Sequence, residues 1–189
     1  MLVTEINPND ELWLSKVEAP QIITDANLFA WDDEADLVIA GLGGAGIAAA
    51  NEALDQGLTV IGIDKTNGGG ATAKSGGVYY AGGGTPIQIA AGVEDSAKNM
   101  FNYLIQETGD IVKKSTLKNF CDTSAENTQW LMDNGVQFDP SYYKIKTSYP
   151  GAGYFLYHSD NSLVPSYMEK SIPAPRGHRG FEEGPFRPI

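Results

Sequence analysis

Apolar residues are spread unevenly along the chain, and their spacing changes character several times. Residues 1–35 hold scattered anchors (Leu12, Trp13, Leu14, Ile22, Ile23, Phe29 and Trp31) that sustain neither a two-residue nor a 3.6-residue period. That pattern predicts an irregular arm that packs on the body through its aromatics. Asp36 then opens an unbroken apolar run, Leu37-Val38-Ile39-Ala40, the signature of a short strand buried on both faces as in a parallel sheet. Residues 47–56 are rich in Ala and predict a helix, with Gly57 where a C-terminal cap glycine belongs. Residues 58–63 predict a second apolar strand. Strand, glycine turn, helix and strand in this order make one βαβ unit with a right-handed crossover.

Residues 64–92 lack a sustained period and are dense in Gly, Ala, Ser and Thr, which predicts a long functional loop carrying the anchors Val78, Tyr79, Tyr80 and Ile87. Two helices follow. Residues 94–107 place Ala97, Met100, Phe101, Leu104 and Ile105 on one face and end at Gly109. Residues 115–134 begin at a capping Ser115, carry Leu117, Phe120, Cys121, Trp130 and Leu131, and end at Gly135. From Val136 onward the chain is aromatic and proline-rich and predicts short strands and turns. The tyrosines of residues 142–157 either line an apolar pocket or simply pack. The fold class expected is α/β: a Rossmann-like domain with a parallel sheet over residues 36–140, after an acidic arm over residues 1–35.

Glycine sharpens this picture. Of 22 glycines in 189 residues, 15 lie between Gly41 and Gly92. Gly41-Leu42-Gly43-Gly44-Ala45-Gly46 is a G-x-G-x-x-G between a buried strand and an Ala-rich helix, the context in which this hexamer binds a dinucleotide. Gly41 allows the tight turn, Gly43 lets backbone approach a pyrophosphate, and Gly46 lets helix and strand pack closely. The helix N-terminus presents free N–H groups and a positive dipole end to the phosphates. Asp64, 23 residues after Gly41, ends the second strand where a carboxylate accepts from ribose hydroxyls and repels a 2′-phosphate. These residues fit NAD and FAD equally. The segment Gly68-Gly69-Gly70-Ala71-Thr72-Ala73-Lys74-Ser75-Gly76-Gly77 favours FAD. An NAD domain normally enters another crossover helix here, whereas this run offers exposed N–H groups and small hydroxyls as a second wall along an extended dinucleotide.

Charge, cysteine and histidine narrow the function classes. The first 36 residues hold nine acids and one base, −8 of the formal −11, so phosphate-rich partners such as nucleic acid are repelled. Lone Cys121 excludes an internal disulfide framework and suits a reducing compartment. The longest apolar run, residues 37–50, is too short for a membrane span and too deep in the chain for a secretory signal, so a cytoplasmic protein is expected. His158 and His178 lie far from ligand-spaced partners, so no metal site is expected, and His178 between Arg176 and Arg179 is expected at the surface or at a flavin rim. There is no G-x-S-x-G elbow and no Walker lysine motif.

The residues 36–46, then Ile63-Asp64-Lys65-Thr66, Gly69-Gly70-Ala71-Thr72, Ser75-Gly76-Gly77, Tyr80 and Gly82-Gly83-Gly84-Thr85 resemble FAD-dependent 3-ketosteroid dehydrogenases and their fumarate-reductase-type relatives. The 3-ketosteroid Δ4-(5α)-dehydrogenase group is the subgroup most similar, and residues 116–136 and 173–179 add to the likeness. The resemblance implies that Gly41, Gly43, Gly44, Ala45 and Gly46 hold the FAD pyrophosphate. It implies that Asp64, Lys65 and Thr66 lie at the adenosine ribose, that Gly70, Ala71 and Thr72 flank the phosphates, and that Ser75, Gly76 and Gly77 touch the isoalloxazine. The family usually has Glu where Asp64 stands. The implied chemistry is hydride transfer between flavin N5 and a C–C bond of an apolar ketone, such as a 3-ketosteroid, or of a small unsaturated acid. Members of the family are longer, and residues 141–189 correspond to the start of a capping, substrate-binding domain. The expectation is therefore a truncated enzyme whose catalytic residues are not identified here. The alternatives are a non-catalytic flavin-binding subunit that needs a partner chain or a homo-oligomer and, with Asp64 as its sole support, an NAD-dependent enzyme.

Overall fold

The computed structural model describes residues 19–180. The first 18 residues of the acidic arm, with Leu12, Trp13 and Leu14, lie outside the described residues. The rest of the arm holds a single 3₁₀ turn, Ala26–Leu28, capped by the Asp25 carboxylate, which accepts from the Asn27 N–H at 2.9 Å. Its aromatics Phe29 and Trp31 meet at 4.6 Å in a tilted pair, the Trp31 indole donates to the Ala26 carbonyl, and Trp31 stays 59% exposed.

The predicted βαβ unit is present. Strand β1 (Leu37–Ala40) pairs in parallel with β2 (Val60–Ile63), and helix α1 (Gly44–Asp55) connects them. Asp36 and Thr59 pin the start of the pair, since the Asp36 carboxylate accepts from both the backbone N–H and the hydroxyl of Thr59. Gly57 (φ +77°) closes α1: its N–H donates to the Leu54 carbonyl and that of Leu58 donates to Ala53. This αL closure satisfies the last helical carbonyls. It also delays β2, which starts at Val60 rather than residue 58. The helix in turn starts at Gly44 rather than residue 47, absorbing half of the glycine segment. One expectation fails. β1 is not buried on both faces: α1 covers one face, while the other presents Val38 and Ile63, each 56% exposed. The apolar run recorded the strand's preference, but the sheet has only two strands among the described residues, and no second helix covers it.

The long loop contains more structure than its composition predicts. A 3₁₀ turn (Thr72–Lys74), strand β3 (Val78–Tyr80) and helix α2 (Pro86–Ala90) interrupt it. Helix α2 is short but well specified. Pro86 stands in its first turn, and Thr85 and Gln88 form a reciprocal capping box. Helix α3 (Ala97–Thr108) is capped by Ser96 and ended by Gly109 at φ +56°. Helix α4 (Lys114–Asp133) starts one residue before the predicted Ser115 cap: the Leu117 N–H already bonds the Lys113 carbonyl, so Ser115 lies inside the first turn. Gly135 ends α4 in the same αL manner as Gly57 ends α1.

The aromatic tail folds back on β3. Strands β4 (Tyr142–Tyr143), β5 (Leu156–Tyr157) and β6 (Gly177–Arg179), with the short helix α5 (Pro165–Met168) before β6, complete a second sheet of order β3-β6-β5-β4. β3 and β6 pair antiparallel with Tyr79 opposite His178. The core lies between this sheet and α2–α4 and includes Ala81, Ile87, Met100, Tyr103, Leu117, Cys121 and Leu156. No helix among the described residues is long and apolar enough to cross a membrane.

Candidate cofactor site

The glycines of the G-x-G-x-x-G are explained by what a side chain would meet. Gly41 has φ +100°, a region that L side chains rarely adopt. A Cβ on Gly46 would stand 2.0 Å from the Gly41 carbonyl oxygen, so α1 crosses the end of β1 only because residue 46 has none. Gly43 caps α1 without a side chain, and the first-turn N–H groups of the helix point outward with no intrahelical acceptor. The motif therefore places a helix N-terminus at the C-terminal edge of a parallel sheet, where open α/β sheets take their ligands.

The second wall stands against the first. An ideal Cβ on Gly43 would lie 3.9 Å from the Gly70 Cα, and a Cβ on Gly70 would lie 3.2 Å from the Gly43 Cα, so the close approach depends on Gly70 having no side chain. Gly70 itself has φ +53°. The Gly69 N–H donates to the Leu42 carbonyl at 2.8 Å, and the Gly44 N–H donates to the Thr72 hydroxyl at 3.2 Å. Asp64 braces the first wall at Leu42 and the start of the following loop at Thr66. Its Oδ2 accepts from the Leu42 N–H at 2.8 Å, and its Oδ1 accepts from the backbone N–H and the hydroxyl of Thr66, both at 2.8 Å. These bonds, that from Leu42 first, hold the Asp64 carboxyl below its usual pKa and keep it ionised.

Among the sequence-predicted residues, Gly41, Gly43, Gly44, Ala45, Gly46, Asp64, Thr66, Gly70 and Thr72 converge on this one cradle. Lys65 and Ala71 lie exposed beside it. Ser75 turns its hydroxyl back onto the Thr72 carbonyl at 2.8 Å. Gly76 has open space around it, and Gly77 (φ +68°) leads directly into β3. The residues present fit a dinucleotide with an extended second half.

A second constellation was not legible in the sequence. Arg176 and Asp95 form a buried ion pair, with Nε donating to Oδ2 at 2.8 Å and Nη2 to Oδ1 at 2.9 Å. The guanidinium lies over the Tyr103 ring at 5.5 Å, and Asp160, 3.7 Å from Nη1, accepts from the Tyr80 hydroxyl at 2.8 Å. Burial, reinforced by the Asp160 charge, raises the Tyr80 pKa, so its phenol stays protonated. A Cβ on Gly82 would collide with this pair, 2.7 Å from Asp95 Oδ2, so the Gly82 backbone fits against the ion pair because no side chain intervenes. His178, expected at a surface or flavin rim, is instead 1% exposed. Its Nε2 lies 2.9 Å from the Thr85 hydroxyl and its Nδ1 3.1 Å from the Arg176 carbonyl. Burial pulls its pKa down to about 4, so it is neutral at pH 7. His158 is likewise buried, 2.7 Å from the Tyr142 hydroxyl, with its pKa lowered chiefly by burial. Sequence separations of 81 and 93 residues explain why neither Arg176–Asp95 nor His178–Thr85 leaves a local signal.

A βαβ unit with this cradle defines a dinucleotide-binding protein of the flavin-dependent type. The family model for the FAD binding domain matches residues 36–177, and the chain belongs to that family, whose cofactor is FAD. Over 165 residues the chain is 39% identical to a 3-oxo-5-alpha-steroid 4-dehydrogenase of Comamonas testosteroni, covering 86% of this chain and 31% of that protein. It is 32% identical to an acrylate reductase flavoprotein subunit of Shewanella woodyi, covering 61% and 23%. A crystal structure of 3-ketosteroid-delta4-(5alpha)-dehydrogenase from Rhodococcus jostii RHA1, in complex with 4-androstene-3,17-dione, superposes with a TM-score of 0.77 at 38% identity, over 84% of this chain and 33% of that one. The chain thus spans about a third of the length of these two steroid dehydrogenases.

Proposed function

We propose that this chain is the FAD-anchoring part of an oxidoreductase that acts on a C–C bond of an apolar ketone, with a 3-ketosteroid as the substrate class. The observation that carries the reading is the pair of glycine walls, Gly41–Gly46 against Gly69–Thr72, which meet at the N-terminus of α1. The steroid dehydrogenases of C. testosteroni and R. jostii support the substrate class. In this reading Gly43, Gly44, Ala45 and Gly46 bind the pyrophosphate, Gly70, Ala71 and Thr72 flank it, and Asp64, Lys65 and Thr66 lie at the adenosine end. Ser75, Gly76 and Gly77 carry the flavin ring. Bound FAD would exchange a hydride with the substrate carbon. The chain's own share is to hold the cofactor, orient its ring along β3 and keep water from its backbone-lined face.

Residues 36–140 form the flavin-binding domain in this proposal, residues 141–189 begin a capping domain over the substrate, and further polypeptide, in the same chain or as a partner chain or second copy, completes the site. The protein works in the cytoplasm. A small unsaturated acid is the second reading, favoured by the acrylate reductase subunit among the relatives. Titration of the purified chain with FAD tests the cofactor step. Quenching of flavin fluorescence and a shifted visible band are expected, and a chain that leaves the free-flavin spectrum unchanged overturns the proposal.

A further inference from the structure

The chain has a third glycine cluster, Gly82-Gly83-Gly84-Thr85, and successive glycine N–H groups are the usual means by which a turn cradles an anion. Here each of these N–H groups is already donated inside the fold. That of Gly82 donates to the Ser124 hydroxyl at 3.0 Å and that of Gly83 to Asp95 Oδ2 at 3.1 Å, while those of Gly84 and Thr85 both donate to Gln88 Oε1 at 3.0 Å. The acceptors come from α4, from the residue before the α3 cap and from α2. The glycines serve this packing: a Cβ on Gly83 would stand 3.3 Å from the Ala97 nitrogen.

Thr85 closes the turn onto β6. Its hydroxyl oxygen accepts from the Gln88 N–H at 3.1 Å and lies 2.9 Å from His178 Nε2. His178 Nδ1 lies 3.1 Å from the Arg176 carbonyl, which only accepts, so Nδ1 carries the ring proton. In the neutral ring Nε2 is then an acceptor, and the Thr85 hydroxyl donates to it. Bond direction is thereby fixed from Gln88 through Thr85 and His178 to Arg176. β6 in turn pairs with β3, and the Gly180 N–H reaches the Gly77 carbonyl at 3.5 Å. β3 has only three residues, so what holds the turn after it and the strand beside it sets its place.

We propose that the Gly82–Thr85 turn is a joint rather than a third ligand cradle, with Thr85 as its positioning residue: Thr85 locks His178 in the Nδ1–H tautomer and so fixes β6 and β3 next to the Gly76–Gly77 backbone. The flavin ring on Gly76 and Gly77 belongs to the FAD reading above, whereas the joint is a property of the unliganded chain. A joint of this kind raises affinity by holding the binding backbone in place before the cofactor arrives, which removes the cost of ordering it on binding.

The test has two arms. In the unliganded full chain, long-range proton–nitrogen correlation spectra at neutral pH are expected to show a pyrrole-type Nδ1 and a pyridine-type Nε2 on His178. The opposite tautomer, or a mixture of the two, overturns the lock. The second arm adds FAD and follows backbone amide shifts and flavin fluorescence. The amides of Gly43, Gly44 and Gly70 are expected to shift on binding while those of Gly82, Gly83 and Gly84 stay in place. Equal shifts in both sets make the turn a cradle and overturn the proposal. Thr85→Val is expected to weaken FAD binding about tenfold, and Thr85→Ser, which keeps the hydroxyl, to restore it. A folded Thr85→Val chain with wild-type affinity, or a Thr85→Ser chain as weak as Thr85→Val, overturns the positioning role. If wild type binds no FAD, the FAD reading fails and the tautomer arm still decides the joint. If Thr85→Val does not fold, Ser124→Ala, which removes the acceptor of the Gly82 N–H, is expected to weaken FAD binding in its place, and unchanged affinity there is equally fatal.

Discussion

Arg176 and Asp95 stand 81 residues apart in the chain and meet in a two-bond ion pair with neither side chain exposed. Burial by itself would raise the Asp95 pKa, but the Arg176 guanidinium brings it below the usual carboxylate value, so both partners are charged. Removing one partner of such a pair leaves a buried charge uncompensated, at a cost of about 3–5 kcal/mol. Arg176→Met and Asp95→Asn are each expected to lower the denaturant midpoint sharply. The double variant is expected to be less destabilised than the two single losses added together, because it removes both charges of the pair. Urea melts of the four proteins measure this, and strict additivity would contradict a coupled pair.

His178 makes stability depend on pH. Burial lowers its folded pKa from 6.5 to about 4, so the folded state resists protonation while the unfolded chain accepts it. The sign follows: its contribution is complete above pH 6.5, falls as pH drops toward 4, and changes no further below that. His158 is shifted in the same direction and adds to the slope. Urea midpoints between pH 7.5 and 4.5 are expected to fall with pH, and His178→Gln is expected to flatten part of that dependence. An identical slope in the variant would show that His178 is not the titrating group.

Gly46 and Gly76 separate folding from binding. Gly46→Ala drives a Cβ to 2.0 Å from the Gly41 carbonyl and is expected to destabilise the βαβ unit by about 1–3 kcal/mol, read from thermal melts. Gly76 has nothing within 4 Å of its Cβ position, so Gly76→Ala is expected to leave the melting curve unchanged. If the flavin ring rests on this backbone, the same substitution weakens FAD binding by about tenfold, the affinity equivalent of a single steric intrusion near 1.4 kcal/mol. Unaltered FAD affinity in Gly76→Ala would move the ring elsewhere.

Cys121 is 1% exposed, and burial pushes its thiol pKa up to about 11. The thiolate is the reactive form, so a buried, protonated thiol is inert. Reaction with a disulfide reagent at pH 8 is expected to be negligible in the folded protein and stoichiometric in denaturant. Prompt labelling of the native chain would show that the core around Cys121 opens readily.

Local chemistry made the first half of the fold legible. The Leu37–Ala40 run, the Ala-rich helix and the glycines at 41, 43, 46 and 57 act on neighbours within a few residues, and each produced its element or its turn. The capping box at Thr85–Gln88 is equally local, but Pro86 and the glycines around it read as a loop. Strand β3 had no such signal. Three residues become a strand only when Gly177–Arg179 returns to pair with them.

The sequence alone determined the βαβ unit and the glycine cradle, because those depend on backbone freedom and short spacings. Only the tertiary structure decided that Asp64 accepts from the Leu42 N–H, that His178 is buried and neutral, and that Arg176 finds Asp95. Those outcomes depend on which distant groups fill a carboxylate's lone pairs or exclude water from an imidazole, and no local pattern encodes that.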